Sequence, residues 1–377
     1  MVLVALSIGV ASSAALFIFY YFYYPKDANP ALHGRYEYVF PNSGIEVYDI
    51  EDNHRHVKSI PIPGMMSLLG VRGAAASAVT NMLYISYQRA GPKWPGEPGG
   101  LLAYDLENDT IVWRKELTPG VDSHCITPDG KTIYMPSGEQ HDTNYWFVLD
   151  AATGDVITSI SVEGNGAHNT VCNTDGTRAY LGAVNYEYLT VVDTTTHQVI
   201  EKIGPFGEGL RPFTINGSET LAIANVNKLL GFEVGDLKTG QRLYRIEVPG
   251  FPSNDTELIP SHGVALTPNE KEIWVVDSNY KYLHIFDATR LPNSAPTKIA
   301  EIKLDRQPKW VSFDLDGRFA YVAKNDGTGS VINAATRQII GEIASSRKFL
   351  EVDFENGKVV RTSSRHSLGS VPTPTPN

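Results

Sequence analysis

Cysteine is scarce in this sequence: Cys125 and Cys172 are the only two among 377 residues. Two cysteines are too few for a disulfide scaffold, and their spacing matches neither a CxxC redox pair nor a structural zinc site. We expect both to lie inside inner strands as small apolar side chains with free thiols, because buried cysteines seldom act as nucleophiles. Cysteine usage therefore leaves the redox compartment open.

An excess of basic charge is also missing. The sequence has 32 Lys and Arg against 42 Asp and Glu, which gives a net charge of -10. Affinity for nucleic acid comes from neutralising phosphates with basic side chains, so no nucleic-acid partner is expected. The sequence has no GxSxG, HExxH, Walker or dinucleotide-binding motif, so hydrolase, metalloprotease and nucleotide-dependent activities lack support and no cofactor is expected.

Long apolar runs are limited to the N-terminal segment, where residues 2–24 carry no charge. Such a run is long enough to cross the roughly 30 Å hydrocarbon layer as a helix. We therefore expect residues 1–30 to form a single-pass membrane anchor, with a cleaved signal peptide and a secreted protein as the alternative. Lys26 and Arg35 favour a cytosolic globular domain, whereas the sequons at Asn108, Asn216 and Asn254 favour the opposite side if they are glycosylated.

Helical periodicity is absent after residue 30, and a β-rich unit recurs instead about every 40 to 50 residues. Each unit has a short apolar strand, a turn and a second strand. The turn is Asp129-Gly130 in one unit, Asp175-Gly176 in the next and Asp316-Gly317 near the end. Because Asp-Gly and Asn-Gly tolerate the positive φ angles of tight turns, these pairs predict hairpins. Seven such units occur in the sequence.

A fixed repeat of this kind predicts an all-β, seven-bladed β-propeller over residues 31–365, followed by a disordered tail over residues 366–377. A pair of β-sandwiches is the alternative, but a sandwich gives no reason for seven units in the same order. We expect residues 36–40 to complete a blade begun near residues 358–363, because pairing of the two ends removes exposed sheet edges. The units around Asp175 to Thr194 and Asp316 to Asn325 resemble the repeat of YVTN-type seven-bladed propellers.

Superposing the repeats predicts a ring of polar residues where the inner strands begin. The predicted catalytic residues are His168, His262 and Lys309, and the predicted substrate-binding residues are Arg72, Asp122, His124, Arg211, Trp310 and Lys348. Apart from its histidines, this ring holds three or four cations and one carboxylate. A cationic, partly enclosed cavity would attract anions and stabilise developing negative charge. We therefore expect a small-molecule site for an acidic or enolic oxygen.

A metal site is the sharper alternative for the same ring, because His124, His168, His262 and Asp122 are all metal-ligand types. The cations that share the ring would repel a metal ion, so we expect none. The remaining histidines that the repeat leaves outside the ring are expected at the surface: His54, His56, His141 and His284.

Two functions of different classes fit the sequence. The apolar N-terminal segment, the single diverged propeller and the predicted aromatic and cationic centre together resemble fungal propeller hetero-Diels-Alderases, which join a tropolone-derived quinone methide to a terpene alkene. This resemblance implies a cofactor-independent pericyclase, lyase or isomerase of secondary metabolism, and it assigns no residue. The alternative is a non-catalytic, membrane-tethered scaffold that binds a protein through the loops at residues 88–100 and 250–260.

Overall fold

The computed structural model describes residues 32–41, 44–62, 71–88, 99–252, 257–344 and 348–363. Within these ranges the chain forms 29 β-strands and no helix. No helix of the described ranges could serve as a membrane span. The predicted anchor at residues 1–30 and the predicted tail at residues 366–377 lie outside the described residues.

The strands follow one another in seven groups along the chain. The first eleven are β1 (Gly34–Val39), β2 (Gly44–Asp49), β3 (Arg55–Pro61), β4 (Val71–Ser77), β5 (Met82–Gln88), β6 (Gly99–Asp105), β7 (Thr110–Leu117), β8 (Cys125–Ile126), β9 (Thr132–Pro136), β10 (Tyr145–Asp150) and β11 (Val156–Ser161). The next eight are β12 (Asn165–Cys172), β13 (Arg178–Asn185), β14 (Leu189–Asp193), β15 (Gln198–Ile203), β16 (Leu210–Ile215), β17 (Leu221–Val226), β18 (Gly231–Asp236) and β19 (Gln241–Glu247). The last ten are β20 (Val264–Leu266), β21 (Glu272–Asp277), β22 (Tyr282–Asp287), β23 (Thr297–Lys303), β24 (Pro308–Phe313), β25 (Phe319–Lys324), β26 (Thr328–Asn333), β27 (Gln338–Ala344), β28 (Phe349–Glu355) and β29 (Lys358–Thr362).

Seven antiparallel sheets contain all of these strands, as the repeat predicts. Six sheets take four consecutive strands each, and the seventh has the order β29-β28-β1-β2-β3. We number this closing sheet blade 1 and the others blades 2 to 7 in chain order from β4. The first strands of neighbouring sheets contact each other around the centre. The fold is therefore a seven-bladed β-propeller.

Blade 1 closes the propeller by pairing the two ends of the described chain. Strand β1 pairs with β28, with Tyr36 opposite Val352 and Val39 opposite Phe349. The expected closure is confirmed, although the direct partner of β1 is β28 and residues 358–362 pair with β28 from its other side.

The turns form where the sequence predicts them, because their side chains satisfy the backbone locally. Asp129 accepts hydrogen bonds from the Thr127 hydroxyl and the Lys131 amide, while Gly130 adopts a φ of 71°. The same turn recurs at Gly176 with a φ of 77°. In blade 6 Glu270 takes the positive φ, at 59°. Each of these turns joins the first two strands of a blade.

Burial changes steadily from the inner to the outer strand of a blade. Seven of the eight residues of β12 are buried, whereas the outer strand β7 alternates between exposed and half-buried residues. Large side chains such as Trp146 and Trp274 are fully buried. Neighbouring blades therefore cover both faces of the inner strands. The side chains at the first residues of these strands face the central axis.

The two cysteines form a disulfide, so the expectation of free thiols is wrong. Cys125 and Cys172 lie on inner strands, as expected, but in adjacent blades whose Cα atoms are 5.6 Å apart at these positions. The bond joins blades 3 and 4 close to the predicted ring: Cys125 follows Asp122 by three residues, and Cys172 follows His168 by four.

Candidate functional site

A cavity of about 570 Å³ lies where the inner strands begin. Eight of the nine predicted site residues line it: Arg72, Asp122, His168, Arg211, His262, Lys309, Trp310 and Lys348. Its other lining residues, which the sequence did not point to, are Gln88, Ser123, Glu139, Gln140, Val184, Asn185, Glu257, Leu258 and Ile259. Superposing the repeats thus placed residues from all seven blades at one site.

A buried ion-pair cluster occupies one side of the cavity. The Arg72 guanidinium donates to both oxygens of Asp122, at 3.2 and 2.6 Å, and to Glu139 Oε1 at 2.5 Å. Arg211 donates to Glu139 Oε2 at 2.9 Å. Asp122 also accepts from the backbone amides of Ser123 and Glu139. Such dense pairing is needed because an uncompensated charge at this depth would be very costly.

His168 lies beside this cluster, with its two ring nitrogens in different surroundings. Nδ1 is 3.3 Å from Asp122 Oδ2 and 3.8 Å from Glu139 Oε2. His168 is 3% exposed, and neither ring nitrogen makes a hydrogen bond of good geometry within the described structure. Burial alone would raise the pKa of Asp122, but Arg72 and His168 outweigh it and lower that pKa. Asp122 is therefore an ionised carboxylate next to the imidazole ring.

Glu139 is the main correction to the predicted charge of the ring. It follows β9 in a loop, outside the inner-strand register that the repeats share. Burial raises its pKa, but His168, Arg72 and His262 together lower that pKa well below the usual range. With Glu257, three carboxylates line the cavity beside four Lys and Arg side chains, so the expectation of a single carboxylate is wrong and the excess of cations is smaller than expected.

Another part of the cavity wall carries an amphipathic pair. The Lys348 ammonium lies 3.3 Å from the centre of the Trp310 ring and donates to Ser123 Oγ at 3.1 Å. Lys348 is 4% exposed and Trp310 is 6% exposed. A cation over an indole face is stabilised most when it is desolvated, as here. A ligand at this wall would meet a fixed positive charge next to an aromatic surface.

His124 is the predicted site residue that does not line the cavity. It is 5% exposed, and its Nδ1 atom lies 3.1 Å from Ser86 Oγ. Burial, with the charge of Lys348, lowers the pKa of His124 to about 3. This side chain is therefore a neutral, buried residue that does not line the cavity, and its predicted role in substrate binding has no support from the geometry.

The expectation that four other histidines are superficial holds only in part. His56 is exposed on the outer strand β3, and His54 is half-buried in the turn before that strand. His141 is 9% exposed and His284 is fully buried, with its Nε2 atom 3.0 Å from Asp277 Oδ2. The repeat pattern gave no indication that His141 and His284 are buried, because both residues lie away from the inner strands.

Glu139, His168 and His262 form the group best suited to a metal among the described residues, because their ligand atoms lie within 4.8 Å of one another. Both oxygens of Glu139 already accept hydrogen bonds from Arg72 and Arg211. A divalent cation there would compete with two guanidinium groups for one carboxylate, and Lys309 and Lys348 face the same cavity. The donor set thus fits a metal poorly and an oxygen-bearing organic ligand better.

The loop before β20 covers part of the cavity. Glu257, Leu258 and Ile259 line it, and the Leu258 carbonyl accepts a hydrogen bond from the Lys228 amide at 2.9 Å. The preceding residues 253–256, like residues 89–98 of the other long loop, lie outside the described residues. The described part of the 250–260 loop therefore forms a wall of the cavity.

Comparison with known proteins supports the fold alone. No family model matches the chain, so the YVTN-type resemblance is not confirmed, and no curated protein matches its sequence. Among solved structures, the chain is similar to hydrazine synthase from Kuenenia stuttgartiensis, with a TM-score of 0.58 and 14% identity. That match covers 81% of this chain and 90% of the other. At this identity the likeness shows a shared propeller architecture and transfers no chemistry.

Proposed function

We propose that this protein is a cofactor-independent enzyme that converts a small, partly apolar molecule with an acidic or enolic oxygen in the central cavity. The observation that carries the proposal is the His168–Asp122 pair. Asp122 is ionised and lies beside Nδ1, which leaves the buried Nε2 atom to exchange a proton with a ligand. A base with this surrounding contributes typically 10² to 10⁴ to the rate of a proton transfer.

The other cavity residues supply binding and electrostatic stabilisation. Lys309 and Lys348 would hold the negative charge that develops on the substrate oxygen as the proton leaves, and Trp310 would pack against an apolar ring. His262 would act as the acid, since its ring centre lies 5.7 Å from that of His168. Two imidazoles at this distance can both contact one bound substrate.

In the finer form of the proposal, the reaction is a dehydration followed by a hetero-Diels-Alder addition. His168 removes the proton of a tropolone hydroxyl, the neighbouring carbinol C–O bond breaks, and His262 protonates the departing hydroxide to give water. The resulting quinone methide adds to a terpene alkene, forming one C–O and one C–C bond with no atom lost. Such an addition needs two partners held in near-attack geometry in a dry cavity, and no cofactor.

The test uses the full chain in detergent micelles with a hydroxymethyl tropolone, with and without a terpene alkene. Adduct formation measured by mass spectrometry reports the whole reaction, and trapping of the quinone methide with an added thiol reports the dehydration alone. We expect both in the wild type and neither in His168→Gln. A wild-type protein that accelerates neither step over the uncatalysed rate would contradict the proposed function.

The compartment is part of the proposal. Disulfides persist in oxidising compartments, so the Cys125–Cys172 bond favours a propeller in the secretory lumen or outside the cell, tethered by residues 2–24. Asn108 lies exposed in the β6–β7 turn, whereas Asn216 is buried with its amide hydrogen-bonded to Ser218 and Thr220. We expect glycosidase treatment to shift the mass of the native protein and not that of Asn108→Gln. An unmodified Asn108 and reduced cysteines in cells would argue for the cytosol.

A further inference from the structure

The Gln88 side chain stands out among the residues that line the cavity. It is 0% exposed, and neither its amide nitrogen nor its carbonyl oxygen has a hydrogen-bond partner within the described structure. Buried polar groups in proteins are nearly always paired, because an unpaired amide loses its hydration without compensation. A buried glutamine with no partner among the described residues is typical of a residue whose partner is a ligand.

The strand that carries Gln88 packs against the backbone on either side of Asp122. Ser86, two residues earlier on β5 and hence on the same face, donates to the Asp122 carbonyl at 2.8 Å. Gly99, the register partner of Gln88, lies so close to blade 3 that an added Cβ would come within 2.5 Å of Val121 Cγ2. The end of β5 is thus packed against the residues that flank Asp122.

The chemistry of the amide defines the ligand group that complements it. A carboxamide presents an N–H donor and a carbonyl acceptor side by side. A ligand group that pairs with both must therefore carry an acceptor and a donor at a matching spacing. A hydroxyl next to a carbonyl meets this requirement, as do a primary amide and a protonated carboxylic acid. A carboxylate or a simple ketone offers acceptors alone and would leave the Gln88 carbonyl oxygen unpaired.

A second unpaired donor lines the same cavity. The indole Nε1 atom of Trp310 also has no hydrogen-bond partner within the described structure. Gln88 belongs to blade 2 and Trp310 to blade 7, and blade 1 separates them in the closed ring. A ligand held by Gln88 could therefore present a further acceptor to the indole N–H and be fixed at two points.

We propose that Gln88 is a substrate-recognition residue that binds a hydroxyl and an adjacent carbonyl, or an isosteric donor–acceptor pair, and presents that hydroxyl to His168. This inference rests on the proposed function for the proton transfer, but the binding role can be tested without turnover. It predicts selectivity for a free hydroxyl over its methyl ether, because the ether cannot donate to the Gln88 carbonyl.

The experiment compares two probes and three proteins by ligand-observed NMR titration. The probes are 2-hydroxycyclohex-2-enone, which has the donor, and 2-methoxycyclohex-2-enone, which lacks it. The proteins are the full chain as wild type, Gln88→Met and Gln140→Met. Gln140 lines the same cavity, but it is exposed and its amide donates to Glu139 Oε1 at 3.3 Å, so it controls for the loss of a cavity glutamine that already has a protein partner.

We expect the wild type and Gln140→Met to bind the hydroxyl probe at least 10-fold more tightly than the ether, and Gln88→Met to lose this preference. The melting temperature of Gln88→Met should be unchanged or higher, because methionine removes an unpaired buried amide at similar volume. A lower melting temperature with the preference retained would make Gln88 a structural residue and overturn the assignment. Absence of binding by either probe to any of the three proteins would count against the cavity as a ligand site, and so against the proposed function as a whole.

Discussion

This propeller contains two buried histidine–carboxylate pairs, and the surroundings of the two pairs differ. In blade 6, His284 is fully buried and its Nε2 atom contacts Asp277 at 3.0 Å, while Phe251 covers the ring with centroids 4.6 Å apart. At the axis, His168 has its Nδ1 atom 3.3 Å from Asp122 and lines the cavity. The first pair is enclosed by aromatic packing, whereas the second adjoins space that a ligand can occupy.

The comparison separates burial from function. Both imidazoles are nearly inaccessible, so depth alone does not identify a catalytic group. What distinguishes His168 is that its carboxylate is held by a third group, Arg72, and that a cavity of about 570 Å³ adjoins it. A positioned base next to space for a substrate is the arrangement that acid–base catalysis requires.

The sharpest way to break the comparison is to make the same substitution in both pairs. We expect His168→Gln to lower turnover by about 10² to 10⁴ with little change in melting temperature. His284→Gln should leave turnover within about 2-fold but destabilise the fold by about 1 to 3 kcal/mol, because it disturbs a buried, packed pair. The two variants need only a turnover assay and a thermal melt. Equal losses of turnover in the two variants would contradict the distinction between a catalytic His168 and a structural His284.

Replacing Asp122 extends the comparison from the two histidines to their carboxylate partners. We expect Asp122→Asn to destabilise the protein by about 3 to 5 kcal/mol, because it leaves Arg72 short of a buried counter-charge. Since the folded-state pKa of Asp122 is lowered, its stabilisation is complete above the unfolded-state pKa and is lost as pH falls through the folded-state value. Denaturant melts between pH 2 and 7 should show a flatter acid limb in the variant. An unchanged acid limb would mean that Asp122 is not ionised in the folded protein.

The disulfide ties the two blades that supply Asp122 and His168. By the loss of chain entropy in the unfolded state, it should stabilise the fold by about 2 to 4 kcal/mol. The double variant Cys125→Ser/Cys172→Ser should therefore melt at lower temperature than the oxidised wild type. Reductant should lower the melting temperature of the wild type and leave the double variant unaffected, which is the internal control. If reductant lowered the melting temperature of neither protein, the disulfide would not contribute to the stability of the fold.

A third charged cluster, in the closing blade, has the opposite pH dependence. Glu351 is fully buried, and burial, with the charge of Asp353, raises its pKa to about 8, even though Arg35 lies 2.6 Å away. The protonated carboxyl therefore stabilises the fold fully below the unfolded-state pKa, and this stabilisation is lost as pH rises through about 8. Glu351→Gln should remove about 1 to 3 kcal/mol of that decline between pH 5 and 9. Glu355→Gln, exposed on the same strand, should leave the decline intact.

Salt should have the smallest effect, because it acts mainly on exposed charges. We expect binding of tropolonate, the anion of tropolone, to weaken by about 2- to 5-fold between 50 and 500 mM NaCl, and binding of neutral 2-methoxycyclohex-2-enone to stay constant. The difference between the two probes measures the contribution of Lys309 and Lys348. Equal salt dependence of both would indicate that no charge recognition occurs in the cavity.

The fold was predictable because its signals are local and repeated. The Asp-Gly turns specify hairpins by their own side chains, and seven copies in one order leave few architectures. The ring followed from the same register, which is why Asp122, His168 and Lys309 were placed correctly. His284 was misplaced because its pairing with Asp277 is specific to one blade.

Residues outside the shared register could not be found in this way. Glu139 lies in a loop that the other units do not repeat, and Gln88 ends a second strand instead of beginning a first one. The disulfide did leave a signal: Cys125 and Cys172 are 47 residues apart, about one repeat, which puts them within one residue of equivalent positions in neighbouring blades. Contacts between adjacent units at equal register can therefore be sought in any repeat protein.

The most direct test of the account is to observe the two imidazoles while a ligand binds. In protein labelled with ¹⁵N-histidine, the His168 and His284 ring nitrogens are assigned with the His168→Gln and His284→Gln variants and then followed during titration with tropolone. We predict that the Nε2 resonance of His168 shifts with ligand concentration while both nitrogens of His284 stay unchanged. A shift at His284, or no shift at His168 with tropolone bound, would contradict the assignment of His168 as the group that exchanges a proton with the substrate.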